Sequence, residues 1–261
     1  MVRKTKLGRA ELDALAPRVP WEEFVGPFTA AWGHPGNTHD ALEPEHITVV
    51  ASTRGGKTYL SLHLLVALCD AQRFRGYVIG TKPSDRTLSR SGLTMTDTWP
   101  PPYRATNPVI VWPKRKNPSE GYSRQRVVVR TMLDALWADH AREIVMFDER
   151  AYVENELALR HQSHLYDIQG NGVGIANLNA TQRPVKIDRT AFSEVGWVFA
   201  GKLGEERDRE TLSYIGGDSE MIYAINSALE TREFLVIRRS TMELVRTRAP
   251  APPGSRSAPS T

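Results

Sequence analysis

The chain of 261 residues has a single cysteine, Cys69, set inside an apolar run. One thiol can form neither an internal disulfide framework nor a cysteine-based zinc site, and a reducing, cytoplasmic setting is expected. No stretch approaches the ~18–20 consecutive apolar residues of a membrane span. The opening Met1-Val-Arg-Lys-Thr-Lys has charge but no apolar core behind it, so no secretory signal is expected. His161 and His164 stand three apart on a predicted helix without a third ligand, and none of the His has metal-ligand spacing. Charge of one sign is not in large excess: 34 Lys and Arg face 30 Asp and Glu, a net +4. The basic residues do cluster, at Arg3, Lys4, Lys6 and Arg9, at Lys114-Arg115-Lys116, and at Arg238-Arg239. Such clusters can track a phosphate backbone or simply keep a surface solvated, and both readings stay open.

What is present is enough apolar residue, 40% of the chain, for one well-buried domain. Residues 1–20 read as a flexible basic arm, 21–247 as one domain, and the Pro/Ser-rich 248–261 as a disordered tail. Residues 21–44, with Trp21, Phe24, Phe28 and Trp32 among Gly and Pro, suggest an irregular segment against the core. Strand-length apolar runs then alternate with helical periodicity. Strands are predicted at 46–51, 77–80, 109–112, 143–148, 173–181 and 195–201. Helices are predicted at 57–72, 124–140, 157–169 and 207–215, and a closing hairpin at 234–238 and 242–246. Continuous apolar strands alternating with helices argue for a mostly parallel sheet covered on both faces: α/β, three-layered and doubly wound. Ligands of such sheets sit beyond the carboxyl ends of the strands.

Ala51-Ser-Thr-Arg-Gly-Gly-Lys-Thr58 follows a predicted strand and opens a predicted helix, the setting a Walker A phosphate loop requires. Thr53, Arg54, Gly55, Gly56, Lys57 and Thr58 form the candidate nucleotide-binding set. Gly55 and Gly56 let backbone N–H groups face phosphate oxygens. Lys57 can reach the β- and γ-phosphates, and Thr58 can hold Mg²⁺. The pattern departs at Ala51, where a glycine is usual; a small side chain fits there if φ is negative.

Glu143-Ile-Val-Met-Phe-Asp148-Glu149 is an apolar strand ending in two carboxylates. It can be a strand closing in a polar turn. After a phosphate loop it suits Asp148 as a Mg²⁺-binding Walker B aspartate and Glu149 as the general base that polarises water. A further strand ends in Thr181-Gln182-Arg183-Pro184, where Gln182 can sense the γ-phosphate or orient water.

These three runs, with Ala180-Thr-Gln-Arg-Pro184 the most specific, resemble the FtsK–HerA superfamily of DNA-pumping ATPases over roughly residues 45 to 240. The resemblance implies a RecA-like core, ATP and Mg²⁺ as ligands, and a homo-oligomeric ring, often of six, around double-stranded DNA. It implies Lys57 and Thr58 as Walker A residues, Asp148 and Glu149 as Walker B residues, Gln182 as the sensor, and Lys57, Glu149 and Gln182 as the catalytic set. It also implies an arginine finger from a neighbouring subunit, for which Arg160, Arg183 and Arg207 are candidates. The chain has no room for the membrane segment and winged helix of the large chromosome pumps. What remains is similar to minimal motors that package viral genomes into capsids, with conjugation motors as the alternative. A host-cytoplasmic or virion-associated protein, with a capsid or portal partner, is therefore expected. DNA-contact candidates are Lys114, Arg115 and Lys116 and the 86–90 segment. A nucleotide kinase and a non-catalytic nucleotide-binding scaffold remain as other classes.

Overall fold

The computed structural model describes residues 7–35, 42–114, 122–138, 141–187, 189–215 and 218–250. In chain order the elements are α1 (Arg9–Leu15), α2 (Trp21–Ala31), β1 (His34–Pro35), β2 (Leu42–Glu43), β3 (His46–Val50), α3 (Lys57–Gln72), β4 (Arg75–Ile79), α4 (Arg86–Ser89), β5 (Met95–Thr96), β6 (Val109–Val111), α5 (Ser123–Leu136), β7 (Glu143–Phe147), α6 (Arg150–Asn155), α7 (Arg160–Gln169), β8 (Ile175–Thr181), α8 (Thr190–Ser193), β9 (Val195–Gly201), α9 (Glu206–Ser213), α10 (Ser219–Ala228), β10 (Glu233–Arg238) and β11 (Glu243–Arg248).

Nine of the strands make one sheet in the order β11-β10-β9-β3-β8-β7-β4-β6-β5. From β9 to β5 every pairing is parallel, and β10 and β11 join one edge as an antiparallel hairpin. The period of two within each strand divides the core. In β7, Ile144 and Met146 join α2 and α3 on one face, while Val145 and Phe147 pack with α5 and α7 on the other. The closing strands do the same: Trp197 and Phe199 face α2, and Val198 and Ala200 face α9 and α10. The expected three-layer α/β architecture with a mostly parallel sheet is the one observed. Helix α3 is apolar nearly all round because it lies under other elements, with Leu60, Leu64, Leu65 and Leu68 fully buried.

Some expectations are corrected. Residues 21–31 are helical rather than irregular. Trp21, Phe24 and Phe28 recur at helical spacing, and Phe24 and Phe28 stack at 5.5 Å and meet Phe199 edge-on. That burial outweighs Pro27, which removes one hydrogen bond inside the helix. Within the expected flexible arm, α1 packs Leu12 into the core. The Arg246 guanidinium donates to the Ala16 carbonyl and pairs with Asp13 and Glu233. The predicted helix at 157–169 is α7, which starts at Arg160 because Ala158 takes a φ of +51°, and a separate short helix, α6, precedes it at Arg150–Asn155. Helix α10, capped by Asp218, is absent from the sequence expectation. Arg115, Lys116, residues 1–6 and the tail from 251 onward lie outside the described residues.

Candidate functional site

The parallel strands bring their carboxyl ends to one edge of the sheet, and β3 runs out there into the loop 51–56. The loop is tied on both flanks. Ala51 N–H donates to the Thr181 carbonyl at 3.3 Å, and the Ser52 hydroxyl to the Lys202 carbonyl at 3.0 Å. Gly56 has a φ of +91°, a left-handed conformation that glycine adopts without strain, and it turns the chain into α3. A Cβ on Gly55 would stand 2.9 Å from the Ser52 carbonyl oxygen, so the turn admits no side chain there. Ala51 is fully buried and is not among the residues of positive φ. Arg54 is, at +64°, with its side chain exposed.

β8 lies between β3 and β7, so Gln182 stands between the loop and the two carboxylates. The Thr53 hydroxyl donates to Gln182 Oε1 at 2.6 Å. The Thr58 hydroxyl donates to Asp148 Oδ1 at 2.7 Å in a buried contact. Glu149 Oε1 accepts from the Thr181 hydroxyl at 3.2 Å. The carboxylate's Oε2 is buried without a hydrogen-bond partner. Burial raises the Glu149 pKa above the usual carboxylate range, against the pull of Lys57 and the Thr181 hydrogen bond. Burial also lowers the pKa of Lys57, against the attraction of Glu149 and Asp148. Among the described residues the Lys57 ammonium has no hydrogen bond or ion pair.

These are the features an anionic ligand would complete. The unpaired ammonium of a largely buried lysine, a side-chain-free turn and the first turn of a long helix fit a polyphosphate. A hydroxyl and a carboxylate 2.7 Å apart fit a hard divalent cation such as Mg²⁺. The sequence-predicted residues Thr53, Lys57, Thr58, Asp148, Glu149 and Gln182 are thus brought to one place.

One participant is missing from the site residues named from the sequence, although its strand end, Gly80-Thr-Lys-Pro-Ser-Asp85, is expected beside the nucleotide. Lys82, past the end of β4, pairs with Asp148 Oδ2 at 3.1 Å and Asp85 Oδ2 at 3.0 Å. Burial alone would lower its pKa, but the two aspartates raise it. Asp85 also caps α4 by accepting from the Thr87 and Leu88 N–H groups. The Lys82 carbonyl accepts from Trp112 Nε1 at 2.7 Å, and Gly80 is bare where a Cβ would lie 2.6 Å from the Trp112 ring. A polar run closing a strand at the same sheet edge was the only sequence signal for Lys82. Behind the site, Arg150 is fully buried and binds Glu154, Asp167 and Asn179, each at 2.7 Å.

Of the arginine-finger candidates, Arg183 is held within its own chain by Glu205 and Asp208. Arg160 and Arg207 are exposed. Of the DNA-contact candidates, Lys114 is exposed with its ammonium 4.0 Å over the Trp112 ring, and Arg86 and Arg90 are exposed on and just after α4. Among the described residues no group of three or more His, Cys, Asp and Glu could hold a metal ion, and no helix is long and apolar enough to cross a membrane.

Sheet order, loop and carboxylates together define the RecA-like P-loop NTPase fold. No protein-family model and no curated protein sequence matches the chain. Among solved structures, it is similar to B204, the DNA-packaging ATPase from Sulfolobus Turreted Icosahedral Virus. The TM-score is 0.56 at 13% identity over 79% of this chain and 98% of that one. The genome-packaging NTPase B204 from Sulfolobus turreted icosahedral virus 2 in complex with ATP-gammaS gives 0.55 at 14%, over 79% and 98%. The cytoplasmic domain of the Thermomonospora curvata Type VII secretion ATPase EccC gives 0.56 at 14%, over 83% of this chain but 26% of that one.

Proposed function

We propose that the chain is an ATP-driven motor that moves double-stranded DNA, of the kind that packages a viral genome, and that it works as a homo-oligomeric ring of six. The observation that carries the reading is the Thr58–Asp148 contact at 2.7 Å with the buried, half-unpartnered Glu149 beside it. Bound Mg²⁺ would screen the phosphate charge and orient the γ-phosphoryl group. Lys57, Gly55 and Gly56 would hold the phosphates, and Thr58 and Asp148 the cation. Glu149 would accept a proton from the attacking water, its basicity raised by burial. Gln182, at the end of the strand between loop and base, would report the γ-phosphate to β8. A neighbour's Arg160 or Arg207 would stabilise charge developing at the phosphate. Lys114, Arg115, Lys116, Arg86 and Arg90 would meet the DNA backbone without reading sequence. The architecture of the viral DNA-packaging ATPase supports this reading.

The test is phosphate release by purified protein with Mg·ATP, with and without double-stranded DNA, beside Glu149→Gln. Turnover stimulated by DNA and lost in the variant is expected. Turnover indifferent to DNA would point to a motor gated by a capsid partner or to another NTPase, and ATP binding without turnover to a scaffold.

A further inference from the structure

Arg232 lies on the flank of the phosphate loop opposite the carboxylates. The parallel order places β8 and β7, with Gln182, Asp148 and Glu149, on one side of β3, and β9 and β10 on the other. Phe234 is registered opposite Gly201 at the end of β9, so Arg232, two residues earlier, stands level with the loop. Its side chain lies over Gly56: a Cβ placed there would meet Arg232 Cγ at 3.4 Å. The backbone holds it there in a left-handed conformation, φ +63°, with its carbonyl accepting from Ala249 N–H.

The charge of Arg232 is unmatched, unlike that of its neighbours. Glu230 pairs with Arg248, and Glu233 with Arg246 and Arg18. Among the described residues the exposed Arg232 side chain has no ion pair or hydrogen bond. Its field reaches Tyr59, the residue after Thr58, whose phenol pKa is raised by burial and drawn back down by Arg232.

A nucleotide that turns its γ-phosphate toward Glu149 and Gln182 must leave the loop by the other flank, α-phosphate and ribose last. We propose that Arg232 binds the α-phosphate of the nucleotide held by its own chain. The inference rests on the nucleotide-binding reading above and assigns a polyphosphate contact outside the loop's own residues. A guanidinium there favours nucleotides over shorter polyphosphates.

The experiment is calorimetric titration of the full chain with Mg·AMPPNP, a non-hydrolysable ATP analogue, and separately with Mg·pyrophosphate, which fills the loop but has no α-phosphate. Arg232→Gly is the main variant because glycine accepts the left-handed backbone, and Arg232→Lys restores the charge. Arg232→Gly is expected to weaken AMPPNP binding about tenfold and leave pyrophosphate binding and the ligand-free melting temperature unchanged, with Arg232→Lys recovering part of the loss. Equal weakening for both ligands, or for neither, overturns the α-phosphate contact while leaving the nucleotide reading in place. If the unaltered chain binds neither ligand, the nucleotide reading falls and this inference with it.

Discussion

The methyl group of Ala51 and the bare α-carbon of Gly201 share one space, since a Cβ on Gly201 would lie 2.7 Å from the Ala51 Cβ. The alanine that breaks the phosphate-loop pattern is therefore accommodated by a glycine on the neighbouring strand, with Phe234 closing the site at 3.1 Å. Gly201→Ala should cost about 1–3 kcal/mol by overpacking, and adding Ala51→Gly should recover much of it. Denaturant unfolding of the two single variants and the double one measures the coupling. Strictly additive effects would show that the two positions do not compete.

Lys82 is the cation paired with Asp148, 3.1 Å from its Oδ2, at the position proposed for Mg²⁺. Lys82→Ala leaves a fully buried carboxylate with Thr58 as its remaining partner. A stability loss of about 1–3 kcal/mol is expected, below that of a fully buried pair because the lysine is 32% exposed. Mg²⁺ should then raise the melting temperature of the variant more than that of the unaltered chain. An equal rise in both would show that Lys82 and the cation do not share Asp148.

The raised pKa of Glu149 has two signs to check. As the proposed base it would lose activity on protonation, so the acidic limb of the hydrolysis rate should fall at a pH above that of an ordinary carboxylate. As a buried carboxyl whose folded pKa is raised, it contributes stability that is full at low pH and lost as pH rises through the folded value. Glu149→Gln should thus abolish turnover yet raise the melting temperature at neutral pH, by about 2–4 °C for each ~1 kcal/mol recovered. A pH–rate profile and thermal unfolding at pH 7.5 read the two effects. An inactive variant that melts lower would place the carboxylate's value in structure instead.

Among the described residues Arg150 is the only cation paired with Glu154 and Asp167, and removing it would leave both buried carboxylates without a counter-charge. Arg150→Met should cost about 3–5 kcal/mol, measurable as the denaturant midpoint, and replacing Glu154 and Asp167 by apolar residues as well should recover part of that loss. A small loss in the single variant would mean that water reaches the carboxylates.

His46 makes the fold acid-sensitive. Its Nδ1 accepts from Asn177 N–H at 2.9 Å, which leaves the proton on Nε2, 3.0 Å from the Asp167 carbonyl. Burial lowers its pKa to about 4, against the pull of Asp167. The folded chain therefore binds fewer protons than the unfolded chain between about pH 6.5 and pH 4, and stability is lost as pH falls through that window. The loss is on the order of 3 kcal/mol. His46→Asn, which keeps an acceptor near Nδ1, should flatten the decline; thermal unfolding from pH 7 to 4 would show an unchanged slope if other groups dominate.

Much of the fold is legible locally. The helix opening at Lys57 and closing at Gln72, the strand from Val195 to Gly201 and the Asp148-Glu149 strand end follow from apolar runs, glycine turns and charge placement. The helix over 21–31 is hidden because Gly26 and Pro27 signal a break that aromatic packing on Trp197 and Phe199 overrides. Lys82 is hidden for another reason: nothing in its own neighbours says that β4 ends beside β7.

The sequence by itself determined the residues of the phosphate loop, the two carboxylates and the alternation of strands with helices, because each depends on the chemistry of a few adjacent side chains. Tertiary structure alone decided which strands are neighbours. That order puts Gly201 against Ala51, Lys82 on Asp148 and Arg232 over Gly56, contacts between residues 66 to 176 positions apart that only long-range pairing of the sheet can bring together.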